Sequence, residues 1–250
     1  MKLLDRYEEV VGHQEVERLR HLASRLEGKR IVHVNSTRLG GGVAEILEWM
    51  IALSRELGID AHWEVVAGPP EFYKVTKAFH NGLQGLPVSL RQSDFDLHYE
   101  VNRENAQRLN LHADAVFVHD PQPIFLPAFT PQGQVARWLW RCHIDASRPN
   151  RAVWKYLEGA IPHYAATIFS MPAFTRPLPA PMFIVPPSID PLSEKNCPLT
   201  EAERIEIITR LGIDPERPLL LQVSRFDRFK DPLGVIAAYR LLKPYYPEMQ

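Results

Sequence analysis

The sequence predicts an α/β domain with a mainly parallel sheet, followed by the start of a second unit of the same kind. Three observations carry that prediction. Short apolar runs alternate with segments of helical periodicity along most of the 250 residues, the order that a strand–helix–strand chain produces. The first run, residues 31–35, leads to Gly40, Gly41 and Gly42 and then to a helical pattern. A later run, residues 218–223, is followed by a charged loop and another helical pattern. The composition supports a buried core, since 45% of residues are hydrophobic and 24% charged, an ordinary globular balance.

Residues 8–27 read as a helix, with Val11, Val16, Leu19, Leu22 and Leu26 at near-helical spacing and Gly28 as the stop. Residues 31–35 are a short buried strand. Residues 43–57 return to helical spacing and are closed by Gly58. The next strand, 61–67, is broken by Gly68, Pro69 and Pro70, because proline removes a donor and fixes φ. Helices follow at 71–80 and 94–111, strands at 115–119 and 134–142, a helix at 151–164, and short strands at 167–170 and 182–185. Prolines then crowd between Pro172 and Pro198, among them Pro177, Pro179, Pro181, Pro186, Pro187 and Pro191, a density no regular helix tolerates. Beyond them residues 201–211 read as a helix, 218–223 as a buried strand, and 232–242 as a helix with Pro232 in its first turn. One strand–loop–helix unit cannot build a sheet. The expected organisation is a first domain at residues 1–186, a linker and helix at 187–214, and the incomplete start of a second domain at 215–250.

Bulk chemistry narrows the function. Lys plus Arg total 29 and Asp plus Glu 30, a net charge of −1, which is not the footprint of a nucleic-acid binder. Cys142 and Cys197 form no CxxC pair, so neither a zinc site nor a redox motif is expected. The N-terminus turns polar at once and no stretch approaches the length of a membrane span. These features predict a soluble, cytoplasmic protein with no membrane partner.

Candidate site residues follow from where ligands bind on open parallel sheets, beyond the carboxyl ends of the strands. Three segments follow such ends: the glycine loop after Asn35, His119 and Asp120 after Val118, and His143 to Asp145 after Cys142. Gly41 and Gly42 bring bare backbone N–H groups and a helix N-terminus to one point, which suits a phosphate; the other reading is a tight turn and no more. Arg225 and Lys230 lie in the loop after residues 218–223, where a guanidinium and an ammonium can clamp a diphosphate and stabilise charge on a departing phosphate oxygen; the other reading is a solvated charged loop. His119 with Asp120 lacks further ligands at sensible spacing, so no metal is expected. Asp120 with Asp145 stays open as a hydrolase carboxylate pair.

Residues 224–232 resemble the G/S-R-x-x-x-x-K-[GD] loop of the retaining GT-B nucleotide-sugar transferases, glycosyltransferase family 4. The glycine loop matches that family's N-terminal donor loop. Residues 185–190 stand where it carries P-x-G-I-D, with Ser188 in place of the glycine. Residues 28–35, 40–47, 79–85, 118–123 and 140–145 are most similar to the branch of trehalose glycosyltransferring synthases and trehalose phosphorylases. The resemblance runs in order along essentially the whole chain.

That resemblance implies a two-domain GT-B fold with the acceptor mainly on the first Rossmann-like domain and the nucleotide mainly on the second. Arg225 and Lys230 would neutralise the leaving diphosphate, and the backbone at Gly41 and Gly42 would approach the donor. His119 would lie near the transferred sugar, with Asp120, Arg141, His143 and Asp145 touching or supporting it and His80 and Asn81 as further sugar-side candidates. The implied reaction makes trehalose from an NDP-glucose and glucose, reversibly and with retention. It needs no covalently bound cofactor, no evident divalent metal and no protein nucleophile. The family's later glutamate pair would fall beyond Gln250, and a homodimer is expected. Three alternatives stand beside it. A phosphorylase would cleave trehalose with phosphate. A non-catalytic module would bind sugar or nucleotide. A Rossmann-like oxidoreductase is disfavoured because Gly40, Gly41 and Gly42 lack G-x-G-x-x-G spacing.

Overall fold

The computed structural model describes residues 2–250 and divides into two compact units, Met1–Asn196 and Cys197–Gln250. Residues 187–196 belong to the first unit. Tyr7 donates its hydroxyl hydrogen to Asp190 at 2.8 Å, and Asn196 and Ser193 donate to the Asp190 carbonyl.

In the first unit helices α1 (Leu3–Val11) and α2 (His13–Ser24) precede β1 (Arg30–Asn35), α3 (Gly42–Glu56) and β2 (Asp60–Val65). Then come α4 (Pro70–Leu83), α5 (Gln92–Arg108), β3 (Ala115–His119) and the one-turn α6 (Leu126–Phe129). The unit closes with β4 (Trp138–Cys142), α7 (Arg151–Glu158), β5 (Ala166–Phe169) and β6 (Met182–Ile184). Among the described residues the strands form one sheet in the order β2-β1-β3-β4-β5-β6, all neighbours parallel. This is the α/β architecture that the alternation of patterns predicts.

Strand periodicity sends alternate side chains to opposite faces. Val32, Val34, Val116, Val118, Trp140, Cys142 and Phe169 build the larger core with Phe72 and Phe79 of α4, Val101 of α5, and Val153, Trp154 and Leu157 of α7. On the other face Ile51, Ile59, Ala61 and Ala23 form a smaller cluster, joined by Ile31 and Trp63. No helix among the described residues is long and apolar enough to cross a membrane. β6 lies at the sheet's edge with Met182, Phe183 and Ile184 each at least 40% exposed.

Two helices of the first unit differ from the sequence reading. The helix expected at 8–27 is two helices broken at Gly12, whose φ of 84° only glycine adopts without strain. The Glu56 carboxylate accepts from the Leu3 and Leu4 N–H groups at 2.9 and 3.0 Å, so α1 begins five residues earlier than its apolar spacing shows. The helix expected at 151–164 stops at Glu158 and continues as a 3-10 turn, Ile161–His163.

In the second unit α8 (Glu201–Arg210) starts at a Thr200–Glu203 capping box, and α9 (Pro232–Leu242) starts at Asp231. The strand expected at 218–223 does not form. Its backbone makes a single pair of bonds, both with Gln250, and Leu221 and Val223 are 61% and 87% exposed. A buried parallel strand requires a neighbour along each edge to bond its N–H and C=O groups, and among the described residues none lies there.

Core packing supplies the first expectation. Phe79 is fully buried against Phe95, Tyr156 and His98, so Phe79→Ala is expected to cost about 3–5 kcal/mol. Leu39, 86% exposed, is expected to change stability by no more than about 0.5 kcal/mol as Leu39→Ala. Urea midpoints of the two variants measure the contrast.

Candidate active site at the strand ends

β1, β3 and β4 run parallel, so their carboxyl ends meet at one rim of the sheet. His119 ends β3, in register with Arg141 of β4. The next residue, Asp120, turns the chain with a φ of 62°, a left-handed conformation that costs a residue with a Cβ about 1–2 kcal/mol. Three hydrogen bonds hold it there. Its N–H donates to the Arg141 carbonyl at 2.9 Å, its Oδ1 accepts from the His143 N–H at 2.8 Å, and its carbonyl accepts from Trp140 Nε1 at 3.0 Å. Asp120 therefore fastens the end of β3 to the end of β4.

Helix α5 supports this turn from beneath. His98 Nε2 donates to the carbonyls of Pro121 and Gln122, both at 3.0 Å, and Asn102 donates to the Gln122 carbonyl while accepting from the Phe125 N–H. His98 and Asn102 are 0% and 1% exposed. A buried polar side chain left unpaired costs about 1–3 kcal/mol, and here each is paired to backbone.

Three histidines line up on the rim. His33 Nδ1 lies 3.0 Å from His119 Nε2, and His119 Nδ1 lies 3.0 Å from His143 Nε2. The His119 and His143 rings stack at 5.3 Å, and His33 stacks on Phe117 at 4.8 Å. Burial drives His33 down to about 3 and His143 to about 4, and Arg141 adds to the effect in both. Burial likewise holds His119 well below its ordinary value, with the neighbouring histidines and Arg141 contributing. All three are neutral imidazoles at pH 7. Burial raises the Asp120 carboxyl to about 7, against the opposing pull of the His143 N–H and Arg141. Burial also lowers Arg141, and Asp120 partly restores it. A neutral imidazole can both donate and accept a hydrogen bond, as a hydroxyl partner requires.

Behind the rim a cavity of about 280 Å³ runs between the sheet and α3. Ile31, Ile46, Met50 and Ala61 give it apolar walls, and His33, His119 and Arg141 line its polar end.

The structure brings together His119, Asp120, Arg141 and His143 as the sequence reading grouped them. It adds His33, which that reading left out. The available signal was a histidine in a strand whose alternate residues Val32 and Val34 face the main core, which turns His33 to the same face as His119. Asp145 lies just beyond, its carboxylate accepting from the Ser147 N–H at 2.9 Å. His80 and Asn81 sit in the last turns of α4, which the loop after β4 reaches through the Asn150 N–H and the Gly82 carbonyl; neither takes part in the histidine row. Gly40 and Gly41 have φ of 73° and 85°, and a Cβ at Gly41 or Gly42 would meet nothing within 4 Å. The requirement for glycine at Gly40 and Gly41 is conformational, and at Gly42 the structure shows none. Arg225 and Lys230 belong to the second unit, in one exposed loop where Arg225 pairs with Asp227 at 3.5 Å and Lys230 closes the 3-10 turn Arg228–Lys230. Among the described residues no cluster of three or more His, Cys, Asp or Glu side chains converges as metal ligands do.

Residues 33–176 match the family described as "Trehalose synthase, N-terminal domain". A trehalose synthase of Pyrococcus horikoshii is 45% identical over 99% of this chain and 60% of its own length. One of Rubrobacter xylanophilus is 44% identical over the whole chain and 61% of its own length. A trehalose phosphorylase of Pleurotus pulmonarius is 30% identical over 62% of this chain and 24% of its own. The chain thus spans about three fifths of the length of the synthases it matches.

The raised carboxyl of Asp120 has a signed consequence. A carboxyl whose folded value lies above its unfolded one stabilises fully below the unfolded value near 3.8 and loses that contribution as pH rises through about 7. Asp120→Asn keeps the acceptor for the His143 N–H without the charge. Its urea midpoint, relative to the unchanged protein, is expected to rise between pH 4 and pH 8.

Proposed function

The chain belongs to the trehalose synthase N-terminal domain family, and from that premise we propose that it serves a retaining glucosyltransferase that makes trehalose from a nucleotide-activated glucose and glucose. The observation that carries the reading is the 44–45% identity to trehalose synthases along essentially the whole chain. The rim chemistry fits it: neutral imidazoles and a carboxyl near neutrality are hydroxyl partners, and sugars are recognised by their hydroxyls.

In the proposed reaction the bond from the anomeric carbon to the diphosphate oxygen breaks and a bond from that carbon to the acceptor hydroxyl oxygen forms. The hydroxyl proton passes to the departing phosphate. His119, Asp120, Arg141 and His143 orient the sugars, with Asp145, His80 and Asn81 at the margin. Gly41 and Gly42 give the donor room to approach the backbone. Arg225 and Lys230 act on the barrier, because charge accumulates on the leaving phosphate as the bond breaks. A cytoplasmic setting, a homodimer and no covalently bound cofactor go with this reading.

The test uses the longest natural chain carrying this sequence, given glucose with ADP-, UDP- or GDP-glucose in turn, then trehalose with phosphate. Trehalose is expected from at least one nucleotide donor, and Arg225→Ala or Lys230→Ala is expected to lower kcat by about 10²–10³. Glucose 1-phosphate appearing solely from trehalose plus phosphate would move the assignment to a phosphorylase. Silence in both directions from folded protein would end the trehalose reading.

A further inference from the structure

The row His33–His119–His143 has a property that none of its members has alone. A neutral imidazole carries one N–H and one bare nitrogen. If His33 Nδ1 donates, His119 must accept at Nε2 and therefore carry its hydrogen on Nδ1. That hydrogen faces His143 Nε2, so His143 must carry its own on Nδ1. If the first bond runs the other way, every ring carries its hydrogen on Nε2. The two contacts at 3.0 Å thus permit two arrangements, all Nδ1–H or all Nε2–H, and a mixed row breaks at least one of the two hydrogen bonds.

The ends of the row differ in what they face. Among the described residues neither His33 Nε2 nor His143 Nδ1 bonds another side chain or the backbone. His33 lines the cavity under α3, while His143 is partly exposed after β4. In the all-Nδ1–H state His143 offers a donor at the rim and His33 a bare nitrogen to the cavity; in the other state the two roles exchange.

We propose that His33 is a positioning residue: it sets the tautomer of His119 and, through it, whether His143 Nδ1 meets a ligand hydroxyl as donor or acceptor. The environment favours a neutral row, because the rings are enclosed and the Arg141 guanidinium lies beside them. His33 is also well held, packed against Phe117 at 4.8 Å. Its bearing on sugar recognition rests on the transferase reading, whereas the tautomer coupling does not.

The test is a long-range ¹H–¹⁵N correlation spectrum of the histidine rings in this chain, ¹⁵N-labelled, at pH 7.5. Ring nitrogen shifts distinguish N–H from bare nitrogen. The unchanged protein is expected to show the same tautomer in all three rings. His33→Phe, which keeps a flat ring against Phe117 but no nitrogen, is expected to shift the tautomer populations of both His119 and His143. His33→Asn places an amide near the Nδ1 position, where it can again bond His119 Nε2, and is expected to return the populations of the two rings toward those of the unchanged protein. Different tautomers among the three rings of the unchanged protein would overturn the proposal, and that spectrum needs no variant to fold. So would a folded His33→Phe in which His119 and His143 keep their original populations. Neither outcome depends on whether trehalose is made, so failure here and failure of the transferase reading are separately visible.

Discussion

Asp120 bears the constraint on which the polar rim depends. Parallel strands end at the same edge of a sheet, but nothing in a sheet ladder fixes where the side chains beyond the last bond will point. One residue in a left-handed turn does so here, by bonding the Arg141 carbonyl, the His143 N–H and the Trp140 indole together. Remove that turn and only the β3–β4 ladder and the contact between their rings relate His119 to His143. The support extends one layer deeper, to His98 and Asn102, whose side chains replace the strand neighbours that residues 121–125 lack. A conformational cost of about 1–2 kcal/mol at one residue is offset by bonds that the surrounding core already holds in place.

The same enclosure that orders the rim also sets its charge. Imidazoles held below their ordinary values and a carboxyl held above its own tend to the same uncharged state near neutrality. The cost of burying charge exceeds what Arg141 or the backbone returns. The rim of the first unit thus sets neutral imidazoles beside the Arg141 guanidinium, while Arg225 and Lys230 stand on an exposed loop of the second unit.

Much of this was legible in the sequence for a physical reason. Strands of a parallel sheet covered on both faces leave nearly continuous apolar runs, and turns between strand and helix leave glycine, so 31–35, 115–119 and Gly40 to Gly42 announce themselves. What was less legible depends on partners distant in sequence. Gly12 breaks a helix whose spacing continues across it, and only backbone geometry reveals the break. Residues 218–223 have the composition of a buried strand, but a strand is a relation between two segments and the second is not among the described residues. His33 looks like an isolated polar residue in an apolar run. Its meaning appears only when parallel pairing brings His119 beside it and Asp120 brings His143 beside that.

The sheet's outer strand carries a different implication. β6 offers one row of backbone groups to β5 and, among the described residues, leaves the other row without a neighbouring strand, beneath three partly exposed apolar side chains. It carries neither the charge nor the proline within the strand that natural edges use to refuse partners. Such a row of backbone groups offers bonds to an extended peptide, and the shortness of β6, three residues, is its one restraint on that pairing. The purified chain should therefore grow more self-associating as its concentration rises, and a lysine in place of Phe183 is the substitution that addresses the cause without touching the rim.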